Sequence, residues 1–280
     1  MILLIGATGT IGSRVAGLLA GRDDVRCLVR SDAAAARMSE RGHTPVRADL
    51  ALPETLGPAF AGCDRVLLVT PYGPDQAKLE LNALDAAEAA GVRHLVALSV
   101  MDAAPGVEVA MTRAHRLVES QLVERAIPHA VLRPDWFASN AAAQLDLIRG
   151  GLITYPHGDA ATGTVDPADV AEVAVAALTA DEPWNRTVEL TGPEALTFRQ
   201  SAERIEAVTG RPLTFLEASP ADWRGGLIAA GVEGWYADAL VELLDGYAQR
   251  TDDPVRSGVP DTLGRPARSF DDYVRAELRL

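Results

Sequence analysis

Gly6, Gly9 and Gly12, in the run Ile5-Gly6-Ala7-Thr8-Gly9-Thr10-Ile11-Gly12, have the spacing of a loop that can wrap a pyrophosphate. Gly6 permits a tight turn, Gly9 lets the backbone approach the phosphates, and Gly12 lets the following helix pack on the preceding strand. A helix starting near Ile11 then faces the anion with N–H groups that have no partner inside the helix. Thr8, Thr10 and Ile11 belong to the same turn and join the expected dinucleotide contacts. The competing explanation is a strand–turn–helix that uses glycine for geometry alone. The apolar run Ile2–Ile5 before the loop and the strand–helix alternation after it favour phosphate binding.

About 20 residues beyond such a loop, a site that takes NADH usually carries an acid for the ribose hydroxyls. Here the second apolar run, Val25–Val29, ends in Arg30 followed by Ser31. A guanidinium at that place can pair with a 2′-phosphate, so the expected cofactor is NADPH, with NADH less favoured. The alternative is a solvated arginine at a strand end. Asp49 follows the next run, Thr44–Arg47, with Leu50 beside it. Its carboxylate either receives the adenine amino group or caps the next helix.

Of the five histidines, His43, His94 and His129 stand beside strand starts and read as surface or capping residues. His115 is expected on a helix after the fifth strand, serving either a ligand site or packing. Tyr155 and His157 fall in an irregular segment, where packing alone is the competing reading; His115 and Tyr155 are the candidate catalytic groups. Asp135 either borders a substrate or caps a helix starting at Trp136. No histidine cluster or acidic pair has metal-ligand spacing, and no Gly-x-Ser-x-Gly elbow occurs. Cys27 in a strand and Cys63 in a loop read as reduced thiols, which suits a cytoplasmic protein.

The elements that must position these groups read as alternating strands and helices. Strands are expected at Ile2–Ile5, Val25–Val29, Thr44–Arg47, Arg65–Val69, His94–Ser99 and Ala130–Leu132, each nearly continuous in apolar residues as when both sheet faces are covered. Helices are expected near Ile11–Ala20, Ala33–Arg41, Gln76–Ala90 and Val109–Arg125. Beyond them come a helix Trp136–Ile148, an irregular stretch Gly150–Thr164, and a helix to Leu178 opened by Asp166 as N-cap and Pro167. Strands Thr187–Leu190 and Leu213–Leu216 flank a helix Thr197–Val208, and helices fill most of Pro220–Leu280. The fold class is α/β: a Rossmann-type doubly wound parallel sheet with a small, mostly helical C-terminal substrate lobe. The expected division is 1–192 for the dinucleotide and 193–280 for the substrate, with the loop 150–164 contributing. With 280 residues, 48% hydrophobic and 23% charged, the chain has the composition of a folded protein. A net charge of −13 opposes nucleic acid and anionic lipid, and no run reaches membrane-spanning length. The expected partner is a small molecule, with the chain a monomer or homodimer.

The loop GATGTIG, the strand ending LVR, the segment HRLVESQLVERAIPHAVLRPDWFASN from His115 and VDPADVAEVA from Val165 together resemble the NmrA-like atypical short-chain dehydrogenases. The resemblance is closest to the NADPH-dependent quinone reductases and ergot-alkaloid-type dehydrogenases, and the ending GRPARSFDDYVR is similar to the tail of bacterial members. It implies that Thr70, Pro71, Ser99, Val100 and Pro134 line the dinucleotide, and that Tyr72, Met101, Asp135, Trp136 and Phe137 border the substrate. Ordinary short-chain dehydrogenases use a Tyr-x-x-x-Lys pair, the lysine lowering the tyrosine pKa for proton transfer. Lys78 is the only lysine here and no tyrosine precedes it by four residues; Met111 and His115 stand where the pair would fall. The implied activity is NADPH-dependent hydride transfer to an electron-poor quinone, enone or iminium, in a pocket between the lobes. The rivals are a non-catalytic redox sensor that binds the dinucleotide, and an isomerase or cyclase on the same scaffold. The arginine and alanine bias fits a GC-rich bacterial source, where such reductases often tailor secondary metabolites.

Overall fold

The structure is a computed structural model and describes residues 1–102, 105–125 and 127–279. The first half alternates β1 (Ile2–Leu4), α1 (Thr10–Leu18), β2 (Val25–Val29), α2 (Asp32–Glu40), β3 (Thr44–Arg47), α3 (Leu56–Phe60), β4 (Arg65–Leu68), α4 (Gln76–Ala89), β5 (His94–Leu98), α5 (Ala110–Glu124) and β6 (His129–Pro134). There follow α6 (Leu145–Arg149), β7 (Leu152–Tyr155), β8 (Ala161–Thr162), α7 (Pro167–Thr179), β9 (Arg186–Leu190), β10 (Leu196–Thr197), α8 (Phe198–Thr209) and β11 (Thr214–Glu217). The chain closes with α9 (Pro220–Ala229), α10 (Gly234–Ala248), α11 (Gly258–Leu263) and α12 (Phe270–Glu277).

Seven strands form one sheet in the order β3-β2-β1-β4-β5-β6-β9, and the pairings from β3 through β6 are parallel. Chain order runs outward from β1 to β3 and then resumes on the other side of β1 at β4. That reversal is the switch point where an open α/β sheet leaves a crevice at its carboxyl edge. Leu3, Leu68 and Leu95 are buried in one apolar cluster with Leu84 and Leu122, and the strand residues that point the other way, Leu4, Leu67 and Val96, are buried as well; with both faces covered, the central strands carry apolar residues at consecutive positions rather than alternate ones.

The chain resolves into two compact units: 1–99, 114–133 and 170–188 form the first, and 100–113, 134–169 and 189–280 the second. The units are interleaved in sequence, whereas the sequence reading drew one boundary after residue 192. The second unit has its own core, built on Tyr155, Phe198, Trp223, Tyr247 and Phe270. It also holds two small sheets, β8 antiparallel to β10 and β7 parallel to β11. Its C-terminal tail is held by the buried Asp169, which accepts from the Arg268 backbone N–H at 2.7 Å, from the Arg268 guanidinium, and from Arg265 at 2.7 Å.

Several local expectations need correction. No regular α-helix starts at Trp136: Phe137 is extended, pairs with Val165 as an isolated parallel bridge, and precedes a 3-10 turn at Ala138–Gln144 before the short α6. The Trp136 carbonyl accepts from Val165 N–H at 2.8 Å, so the backbone there is committed to a strand-like pairing. The stretch 150–164 is not irregular throughout, since it supplies β7 and β8. His94 is fully buried, not a surface or capping residue. Asp166 does open α7 as expected, its Oδ1 accepting from Ala168 N–H at 2.7 Å. Among the described residues no helix is long and apolar enough to cross a membrane, and no group of three or more His, Cys, Asp or Glu could hold a metal.

Candidate functional site

In the first unit the carboxyl edge of the sheet gathers most of the expected dinucleotide contacts. Across β3, β2, β1, β4 and β5 the residues at or just past the strand ends are Asp49, Arg30, the Gly6–Gly12 loop, Thr70 with Pro71, and Ser99. Four strand spacings separate the two ends of this row, roughly 19 Å. The loop at its centre owes two glycines to the protein itself. Gly6 has φ +82°, and a Cβ there would lie 2.3 Å from the Val69 carbonyl oxygen; a Cβ on Gly12 would lie 2.1 Å from the Gly6 oxygen. Gly9 differs. A Cβ there would meet nothing nearer than the Gly6 oxygen at 3.4 Å, and Gly9 is the N-cap of α1 with no side chain capping the helix. Thr8, Gly9 and Thr10 are exposed while Ile11 and Gly12 are buried. The loop thus ends at the N-terminus of α1, the Gly9 N–H turns back onto the Gly6 carbonyl at 2.9 Å, and no side chain at residue 9 fills the space before the helix. That arrangement fits a dinucleotide pyrophosphate.

Toward the adenosine end, Arg30 is exposed and precedes Ser31, which caps α2 by accepting from Ala34 N–H at 3.2 Å. The Asp49 carboxylate accepts from Ala51 N–H at 2.9 Å, so one of its oxygens caps the local turn. Leu50 is buried, and its carbonyl accepts from Asn82 at 2.8 Å.

On the other side of the loop lies a buried polar chain that sequence reasoning missed. The Thr70 hydroxyl donates to Glu80, and the Gln76 amide donates to the same Glu80 oxygen at 3.2 Å. The Gln76 nitrogen also stands 3.2 and 3.3 Å from the two ring nitrogens of the half-buried His115. Burial raises the Glu80 carboxyl to about 6, opposed by its bonds from Thr70 and Gln76. Burial lowers His115 to about 4, so its imidazole is neutral at physiological pH. The signal for this chain was one helical turn between Gln76 and Glu80, two polar residues on the face of α4 that the sheet covers. Ser99 is similarly engaged: it donates to Glu119 at 2.5 Å and accepts from Arg116 at 3.3 Å, while Arg133 also pairs with Glu119. Tyr72 and Pro71 follow Thr70 in the loop after β4; Pro71 is exposed and Tyr72 half-buried.

The second unit holds Val100, Met101, Pro134, Asp135, Trp136, Phe137 and Tyr155. Met101 is buried and its N–H donates to the Pro134 carbonyl at 3.0 Å. Asp135 does not cap a helix at Trp136. Its side chain is 0% exposed, and Oδ2 accepts from Gly163 N–H at 2.8 Å and from Arg250 at 2.7 Å, the arginine being 4% exposed. Trp136 packs edge-on against Tyr155, Phe198 and Tyr247 at centroid distances of 6.2, 5.6 and 6.1 Å. Tyr155 stacks on Phe198 at 4.6 Å, and burial pushes its phenol up to about 12. Tyr155 therefore lies inside the aromatic core of its unit. His157, two residues on, adopts φ +54° and meets Asp245 at 2.6 Å. A cavity of about 330 Å³ is lined by His157, Tyr247, Arg250 and Asp252. A larger one of about 900 Å³, lined by Gly192, Arg256, Pro260 and Pro266, contains none of the expected site residues.

Residues 6–181 match the family model described as NAD(P)H-binding. The chain is 38% identical over 283 residues to the (4-alkanoyl-5-oxo-2,5-dihydrofuran-3-yl)methyl phosphate reductase of Streptomyces griseus subsp. griseus, covering 98% of this chain and 96% of the relative. It is 34% identical over 281 residues to the NAD(P)H azoreductase of Xenophilus azovorans, covering 99% and 97%. Among solved structures it is similar to an NADPH-dependent quinone oxidoreductase of Escherichia coli, with a TM-score of 0.86, 25% identity and full coverage of both chains. With the glycine loop at the switch point and these likenesses along nearly its whole length, the chain belongs to the NAD(P)H-binding family and is similar to its quinone-oxidoreductase-like members.

Proposed function

We propose that this chain is an NADPH-dependent reductase that delivers hydride to an electron-poor π bond in a small organic acceptor. The observation that carries this reading is the row of Asp49, Arg30, the glycine loop, Thr70 and Ser99 along one carboxyl edge, with Gly9 left open for a ligand. When bound, NADPH supplies the hydride. Gly9 and the first turn of α1 hold the pyrophosphate, and Arg30 reads the 2′-phosphate. Asp49 has one carboxylate oxygen engaged by Ala51 and offers the other to the adenine amino group. Thr70, Pro71, Val100 and Pro134 bound the nicotinamide half, and Ser99 braces that edge through Glu119.

The acceptor class follows from proton chemistry and from the relatives. The chain has no Tyr-x-x-x-Lys pair, His115 is neutral at physiological pH, and the Tyr155 phenol holds its proton to about 12. A neutral imidazole and a deeply buried phenol are poor general acids. An azo compound, a quinone and a conjugated oxo-dihydrofuran, the substrates named for the relatives, all accept hydride at an electron-poor π bond. We assign His115 a hydrogen-bonding role set by Gln76, and Tyr155 a role in holding Trp136. Tyr72, Met101, Asp135, Trp136 and Phe137 shape the acceptor's surroundings, so rate comes mainly from alignment. The test is initial-rate NADPH oxidation with a panel of quinones, azo dyes, conjugated enones and iminium compounds. Turnover with at least one of these supports the reading. Tight NADPH binding with no acceptor reduced would instead assign the chain to dinucleotide sensing.

A further inference from the structure

A second guanidinium stands where the 2′-phosphate is expected. Val29 and Arg47 are Cα partners in the parallel pairing of β2 with β3, so Arg47 ends its strand level with the residue that precedes Arg30. The register puts Arg47 on the sheet face of Val29 rather than directly opposite Arg30, and it is the bond from its guanidinium to Asp32 that brings it to the turn between β2 and α2 where Arg30 stands. The Arg47 side chain is 60% exposed and donates to Asp32 Oδ1 at 2.7 Å; Asp32 is itself 85% exposed. Asp32 is the first residue of α2, two positions past Arg30, and is the acid closest in sequence to the phosphate reader. An ion pair so open to water is weak, because solvent screening removes most of its Coulomb energy and two side chains must be ordered to make it. A phosphate monoester offers nearly two charges and three acceptor oxygens, and a planar guanidinium matches it in bidentate fashion. Competition between one exposed carboxylate and a dianion favours the dianion.

We propose that Arg47 is a second ligand of the NADPH 2′-phosphate, held near its place by Asp32 and transferred from that carboxylate to the phosphate on binding. This rests on the NADPH reading above. Asp32 thereby has two effects: it keeps Arg47 within reach in the free protein, and it opposes the phosphate once Arg47 has left it.

The test uses the full chain and four variants, Arg47→Ala, Asp32→Asn, the two combined, and Arg30→Ala, each titrated with NADPH, NADH, adenosine 2′,5′-bisphosphate and AMP. Losing one charge-assisted contact to phosphate corresponds to about a tenfold or greater rise in Kd. Arg47→Ala should raise Kd for NADPH and the bisphosphate about tenfold and leave NADH and AMP within about twofold. The same loss should appear in the Asp32→Asn background, while Asp32→Asn alone tightens NADPH. A loss seen with Asp32 present but absent in the Asp32→Asn background would mean that Arg47 only neutralises Asp32, and would overturn the proposal. Equal weakening of NADH would overturn it too. Arg30→Ala separates the two levels of the claim. If Arg30→Ala selectively weakens NADPH and Arg47→Ala does not, only the present inference falls; if the unmodified chain binds NADH as tightly as NADPH, the NADPH reading falls with it.

Discussion

Single residues decide the phosphate site, and the three glycines of the loop separate its folding requirement from its binding requirement. A Cβ on Gly12 would sit 2.1 Å from a backbone oxygen that cannot move without shifting β1 and the loop. Gly12→Ala is therefore expected to cost on the order of 1 to 3 kcal/mol of stability, read from urea unfolding. Gly9→Val meets no such obstacle within the protein. It should unfold cooperatively at near-native denaturant concentration, yet lose binding of both NADPH and NADH by calorimetry. Near-native affinity in that variant would reduce the loop to a structural turn. Arg30→Ala belongs to the same scale, with NADPH weakened about ten- to a hundredfold and NADH nearly unaffected.

At the scale of elements, the helices and strands of residues 1–99 other than the short α3, and α7 further on, were legible because each carries a local signal. Val25–Val29 is apolar except for Arg26 and has a valine at each end, α1 follows a glycine turn, and α7 begins at an Asp-Pro pair. The segment 134–164 was not legible in the same way. Its strands are only two to four residues long, and its order comes from distant partners such as Val165 on Phe137 and Arg250 on Asp135. Sequence spacing cannot announce a bond across 115 positions. The glycine loop, Arg30 and Asp49 could be proposed from motif and strand ends, and Thr70, Pro71, Ser99, Val100 and Pro134 only from the family resemblance, whereas the Glu80–Gln76–His115 chain required the fold to bring α4 and α5 together. The Asp135–Arg250 pair gives an element-level prediction. Arg250→Ala leaves a carboxylate with 0% side-chain exposure short of its cation, at a cost of about 3 to 5 kcal/mol. Replacing both partners by apolar residues of similar volume should cost less than this single change, as a double-mutant unfolding cycle would register. The aromatic group around Trp136 gives another. Trp136→Ala should lower kcat/KM by about a hundredfold through misalignment on the order of 1 Å. His115→Ala and Tyr155→Phe should each cost less than the roughly 10² to 10⁴-fold of a lost general acid. A thousandfold loss in either variant, with NADPH binding intact, would make that residue the acid.

Across the whole molecule, buried titrating groups set the pH dependence of stability. His94 is fully buried and lowered to about 4, burial being the main cause and the charge of Arg65 the next. The unfolded chain takes up this proton near pH 6.5 and the folded chain refuses it until about 4. The neutral state therefore contributes stability above pH 6.5 that is lost as pH falls toward 4, amounting to about 3 kcal/mol if fully realised. Glu80 acts in the opposite sense. Its folded pKa of about 6 exceeds the ordinary 4.5, so its contribution is fully present below 4.5 and is lost as pH rises through 6. Glu80→Gln should accordingly gain stability relative to the parent between pH 4.5 and 7, and His94→Gln should lose less than the parent between pH 6.5 and 4. Urea midpoints across that range would show opposite changes of slope, and parallel curves for parent and variants would contradict both assignments.

Hydride delivery from NADPH to an electron-poor carbon is tested most directly by following the hydrogen itself. NADPH carrying deuterium at either face of C4 would be incubated with the protein and a conjugated enone, whose new C–H bond does not exchange with water. One of the two labelled cofactors should yield a reduced product one mass unit heavier, with cofactor oxidised and product formed in equal amounts. Reduced product without deuterium from both labels, or NADPH bound and never oxidised, would contradict the account.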